Sequence, residues 1–112
     1  MSDEKTEENV QVITDAKGRK LKIHEVSILE ESRLVRALGS DVAMNSAYMM
    51  GYVLPAVMVC EIDGNAIPFP ATLAQTESLI GRLGKEGIQA VLEHQMAEAG
   101  EGGEGQKEAA GN

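Results

Sequence analysis

The segment from Val42 to Cys60 constrains the fold of this chain more than any other. It holds no charged residue, and it contains four of the six methionines and both tyrosines. A helix that spans a membrane needs about 20 apolar residues and is usually anchored by Lys or Arg. This segment is interrupted by Asn45, Ser46 and Pro55, and acidic residues flank it. We therefore expect a buried helix of a soluble domain, not a membrane span, with the rest of the chain folded against it.

The bounds of this helix follow from its two ends. Asp41, or the serine before it, can accept hydrogen bonds from the first free backbone N–H groups. Pro55 cannot donate its N–H and clashes with the preceding turn, so the helix should bend or end close to it. We expect a helix over about 42–56, and then extended chain that includes Val57, Val59 and Ile62.

The methionines and tyrosines of this helix are our candidate binding residues. Methionine is flexible and polarizable, so it suits surfaces that repack around varied apolar partners. Apolar residues at helical spacing are also the usual content of a core, and the pattern alone leaves both interpretations open. The residues that we assign to a client-binding or self-association surface are Met44, Tyr48, Met49, Met50, Tyr52 and Met58.

The two ends of the chain differ from its middle. Residues 1–8 and 99–112 have no large apolar side chain after the initiator methionine, and they carry most of the net charge of −8. Such segments cannot bury enough surface to offset their chain entropy, so we expect both to be disordered. Residues 9–98 are then a single globular domain. An acidic chain gains nothing from a phosphate backbone, which argues against nucleic acid as a partner.

We find no catalytic or metal-binding pattern. His24 and His94 are far apart in sequence, and neither has a Cys or Glu at a spacing typical of zinc sites. Cys60 is the only cysteine, so no intramolecular disulfide can form, and no nucleophile motif surrounds it. We therefore expect no catalytic residue, no metal and no cofactor, in a protein of a reducing cytosol.

Turn and capping signals predict an α+β fold. A β-hairpin is expected over 9–25, with its turn ending at Gly18, and a second short hairpin around Asp63-Gly64. Ser27 and Glu30 form a capping box that opens a helix running to Gly39. With the central helix, a third helix that ends at Gly84 and a fourth that begins at Glu86 or Gly87, this makes a mostly helical domain of about four helices.

Several of these segments also resemble a known family. The helix ending in R-A-L-G is followed by the Met-rich helix, by I-D-G-N-A-I-P-F-P, and by a helix ending in R-L-G. This order, over about residues 10–97, resembles the small tail assembly chaperones of long-tailed bacteriophages and prophages.

The resemblance implies a non-catalytic assembly factor that binds the tape measure protein, keeps it soluble and aids assembly of the tail tube. The implied partners are the tape measure protein, the major tail tube protein, a longer frameshifted form of the chain and further copies of it. The implied location is the cytoplasm of the bacterial host, and the protein would be absent from the mature virion. Two alternatives stay open: a structural completion or connector subunit of the tail, and a small dimeric adaptor.

Overall fold

Two antiparallel hairpins join into one four-stranded sheet. The computed structural model describes residues 10–111, with side chains for residues 10–99. The strands lie in the order β1-β2-β3-β4, and each pair is antiparallel. Their bounds are β1 Val10–Thr14, β2 Lys20–His24, β3 Val59–Ile62 and β4 Asn65–Ala66.

Both predicted hairpins are confirmed, and their turns have the expected chemistry. Gly18 has φ 83°, and Asp63 and Gly64 have φ 51° and 84°. Two consecutive positive φ values are typical of the type I′ turn, whose twist matches that of paired strands. Alternation in β2 buries Leu21 and Ile23 against the helices, while Lys20 is exposed and Lys22 is partly exposed.

The first helix, α1 Ile28–Leu38, begins and ends as its sequence predicts. The Ser27 hydroxyl accepts a hydrogen bond from the backbone N–H of Glu30, and the Glu30 carboxylate accepts one from the backbone N–H of Ser27. Gly39 ends the helix with φ 87° and ψ 158°, a conformation essentially restricted to glycine.

The central helix differs from the prediction of one helix over 42–56. It is divided into α2 Ser40–Ala43, α3 Ser46–Tyr48, a π-helical turn Met49–Val53, and α4 Leu54–Met58. The break lies at Asn45, whose side chain accepts a hydrogen bond from the N–H of Tyr48 and so starts a new helix. An asparagine that caps the following turn competes with continuation of the preceding one.

The prediction that the helix ends near Pro55 is confirmed, because α4 ends at Met58 and β3 begins at Val59. The prediction that Val57 is extended was wrong. The π-helical turn lies just before Pro55, and a local widening of the helix is a usual way to accommodate a ring that cannot continue the hydrogen-bond ladder.

The last helix, α5 Leu73–Gly111, contains a sharp break. Gly84 has φ 66° and ψ −174°, so the two helices predicted on either side of it are present and meet there. The Thr72 hydroxyl caps the first, accepting from the N–H of Gln75. Disorder of the two ends stays a prediction: residues 1–9 lie outside the described residues, and no side chain of 100–112 is described.

The core has two parts that Ile80 connects. The first lies between the sheet and α5 and is built on β2, α4, β3 and both halves of α5; the second joins α1 to the central helix. The buried members of this second part are Leu34, Leu38, Met49, Val53 and Val57. The small α+β domain that the sequence predicts is therefore confirmed.

Candidate helix-binding groove

An open groove runs between the central helix and α5. It has a volume of about 810 Å³, and its lining is largely apolar. Pockets of about 300–1,000 Å³ are typical of binding sites. We refer to it as the groove; its lining residues are Ala47, Gly51, Tyr52, Ile80, Gly84, Lys85, Ile88, Gln89 and Leu92.

The wall formed by the central helix has no side chain at Gly51. This glycine lies inside the π-helical turn, and a Cβ built on it would meet no heavy atom within 4 Å. Glycine inside a helix costs about 1 kcal/mol relative to alanine. Neither a positive φ nor a close internal contact of the folded domain requires a glycine here. The missing side chain does leave space for a partner backbone to approach.

The wall formed by α5 is held by Arg19 of the first hairpin. Its guanidinium donates to the carbonyl oxygens of Leu83 at 2.6 Å and Arg82 at 3.1 Å, the last carbonyls before the Gly84 break. It also donates to the buried Asp15 carboxylate through Nε at 2.8 Å. Gly87 lies under the same guanidinium, where a Cβ would come within 2.9 Å of Leu83. The hairpin therefore fixes the angle at which α5 breaks.

The Asp15 carboxyl group, which pairs with Arg19, is held in its ionised form by hydrogen bonds. Burial by itself favours the neutral acid, but hydrogen bonds from the backbone N–H and the side chain of Arg19 outweigh it and lower the pKa of Asp15. The carboxylate also accepts from the N–H of Lys17 at 3.0 Å. It is fully enclosed, while the Arg19 side chain is 20% exposed.

The structure separates the six predicted binding residues. Met44, Met50 and Tyr52 are exposed, at 82%, 64% and 52%. Tyr48 is half-buried, and its ring lies 5.8 Å from that of Tyr52. Burial, and then the negative charge of Glu77, raise the pKa of Tyr48. Of the six, only Tyr52 lines the groove.

Two of the six do not belong to this surface. Met49 is 7% exposed and lies in the core with Leu34 and Val53, so a client cannot reach it on the folded domain. Met58 is half-buried and packs on the sheet side, where its sulfur accepts a hydrogen bond from Gln95 at 3.1 Å. Met49 is therefore removed from the predicted surface, and Met58 faces a different hollow.

That second hollow contains the two histidines. His24 and His94, which are distant in sequence, line it together with Glu25, Glu31 and Glu98. His94 lies 3.4 Å from the Glu98 carboxylate. Within the part of the chain whose side chains are described, no group of three or more His, Cys, Asp or Glu side chains is placed to hold a metal ion.

The cysteine is not activated for nucleophilic chemistry. Burial raises the pKa of the Cys60 thiol, an effect that the nearby Lys22 charge only partly opposes. A thiol with a raised pKa is mostly protonated at neutral pH and reacts slowly.

Sequence reasoning missed most of the groove. Ile80 lies on one side of the Gly84 break and Ile88 and Leu92 lie on the other, and only the fold brings them opposite Ala47 and Gly51. One local signal was available: a glycine in the middle of an otherwise apolar helix requires an explanation.

No protein-family model matches this chain, and no curated protein or solved structure matches it. Among residues 10–111, no helix is long and apolar enough to cross a membrane.

Proposed function

We propose that this protein is a tail assembly chaperone that holds an apolar helix of the tape measure protein in the groove. The observation that carries the proposal is an open apolar groove whose lining includes a glycine, Gly51, and the exposed side chain of Tyr52. The order of segments that resembles phage tail chaperones supports the choice of client. The function is binding, without catalysis.

The groove is suited to weak and adaptable binding. An amphipathic helix placed in a groove buries side chains at helical spacing, and each apolar side chain contributes about 1.5–3 kcal/mol when fully buried. Only part of each side chain is covered in an open groove, and association itself costs several kcal/mol. The exposed methionines of the central helix, Met44 and Met50, can change rotamer to fit varied apolar partners. A chaperone that must later release its client to the growing tail requires such weak binding.

A second candidate is the small dimeric adaptor, and one observation favours it. Helix α1 exposes Ile28 at 82% and Leu29 at 56%, on a surface separate from the groove. Apolar side chains clustered on one helix are common where two copies of a chain associate. A dimer that forms through α1 and has no affinity for tape measure segments would support this second candidate.

The proposed function is tested by filling the groove without disturbing the fold. Gly51→Leu places a side chain where no atom lies within 4 Å of the new Cβ. Gly81→Leu is the matched control: Gly81 is also helical and also has no atom within 4 Å of a built Cβ, but it does not line the groove. Because leucine is a better helix former than glycine, both variants should be at least as stable as the wild type.

The assay is co-purification and fluorescence anisotropy with overlapping segments of the tape measure protein from the same tail gene cluster, with circular dichroism and thermal unfolding on the same samples. We expect Gly51→Leu to reduce affinity by at least about tenfold, equivalent to about 1.4 kcal/mol, while Gly81→Leu binds as the wild type does. Equal binding by all three proteins would remove the groove as the client site. Absence of binding by the wild type to every segment would refute the proposed function itself.

A further inference from the structure

The groove carries one charged residue on an otherwise uncharged lining, Lys85. It follows the Gly84 break and lies along the α5 wall between the apolar side chains of Ile80 and Ile88. Within residues 10–99, no carboxylate lies within 4.0 Å of its ammonium group. Lys85 is therefore the only charged residue that lines the groove, and it has no acidic partner in the described part of the chain.

The neighbouring acids are already engaged with other groups. Lys85 and Gln89 also line another hollow, between α5 and the turn of the first hairpin, so they form the polar border of the groove. Of the acids in that hollow, Glu86 pairs with Lys17 at 3.9 Å and Glu93 accepts from Gln89 at 3.2 Å. Asp15 pairs with Arg19 at 2.7 Å. Asp15 and Glu93 therefore accept hydrogen bonds from Arg19 and Gln89, and Glu86 makes a long ion pair with Lys17.

We infer that the client helix presents a carboxylate beside its apolar stripe, where it pairs with Lys85. The inference rests on the proposed function and specifies the chemistry of the partner: an amphipathic helix whose apolar side chains enter the groove and whose Asp or Glu lies on the groove's polar border. Charge complementarity of this kind selects the register and direction of a docked helix more than it adds affinity. The apolar lining alone would accept a helix at several positions.

The test is a charge exchange between chaperone and client. The probe is the tape measure segment that binds most tightly among those with an Asp or Glu next to the apolar stripe, together with the same peptide in which that acid is replaced by Lys. Each peptide is titrated against wild type, Lys85→Glu and, as a control, Lys20→Glu. Lys20 is an exposed hairpin lysine outside the groove, and its substitution changes the net charge equally.

We expect Lys85→Glu to bind the acidic peptide about three- to tenfold more weakly than the wild type does, and the Lys-substituted peptide correspondingly more tightly. Lys20→Glu should bind both peptides as the wild type does. The preference of each protein for the peptide of opposite charge at this position should shrink at about 1 M NaCl, where the screening length is about 3 Å.

Two results would overturn the inference. One is that Lys85→Glu weakens binding of both peptides equally. The other is that it changes neither, while Gly51→Leu still blocks both; in that case the groove remains the client site, and only the carboxylate requirement fails. If the wild type binds no segment, the proposed function fails and the inference fails with it.

Discussion

The substitution Arg19→Met on the first hairpin should destabilise the protein strongly. Methionine keeps the length of the aliphatic stem but removes the guanidinium that donates to Asp15, Leu83 and Arg82. Breaking a buried ion pair costs about 3–5 kcal/mol, because the remaining charge stays buried without its partner. The Asp15 carboxylate keeps two backbone donors, from Lys17 at 3.0 Å and from residue 19 at 2.9 Å, which lowers the cost. We expect a loss of about 2–4 kcal/mol.

The assay is equilibrium urea unfolding followed by circular dichroism. For a domain of this size, that loss corresponds to a fall in Tm of about 10–25 °C. Lys17→Met is the matched control: its side chain is 60% exposed and its ion pair with Glu86 is long, at 3.9 Å, so the change should cost less than about 0.5 kcal/mol. Adding Asp15→Asn to Arg19→Met should recover part of the loss, because no buried charge then remains. If Arg19→Met proved as stable as Lys17→Met, the claim that Arg19 stabilises the contact between the first hairpin and the α5 break would be refuted.

Two further predictions follow from burial and charge. The pKa of Asp15 is lowered on folding, so its contribution to stability is complete above its ordinary value of 3.8 and is lost as the pH falls through the folded-state pKa. Asp15→Asn should therefore show a flatter dependence of unfolding free energy on pH between about 5 and 2; a dependence as steep as that of the wild type would contradict this. Met49→Ala should cost about 2–5 kcal/mol, because Met49 is 7% exposed, while Met50→Ala, at a site 64% exposed, should cost less than about 0.5 kcal/mol. Similar thermal unfolding midpoints for the two variants would contradict the orientation of the π-helical turn.

The parts of the fold that sequence predicted are those that short-range chemistry determines. Ser27 and Glu30 satisfy each other's neighbouring N–H groups within one helical turn, so the start of α1 could be predicted without knowledge of the fold. The Asp63-Gly64 turn is equally local, because both residues tolerate positive φ. Pro55 predicted the end of the central helix to within a few residues for the same kind of reason.

The parts that sequence did not predict depend on distant residues. Asn45 has two local options, to continue a helix or to cap a new one, and packing of the following turn against α1 decides between them. Arg19 did not stand out as a structural residue, because nothing near it in sequence shows that the carbonyls of Arg82 and Leu83 lie within its reach. The methionine pattern left both core and surface open; Met44 and Met50 are exposed, Met49 is core, and most of the groove lies on α5.

The central claim, that the groove holds an apolar client helix, is tested most directly by NMR of isoleucine δ1 methyl groups during titration with a tape measure segment. Ile80 and Ile88 line the groove, whereas Ile28 is 82% exposed on α1 and reports on the competing apolar surface. We predict that the Ile80 and Ile88 methyl signals shift progressively with added segment and that the Ile28 signal does not move. Shifts confined to Ile28, with Ile80 and Ile88 unchanged at saturating segment, would contradict the claim.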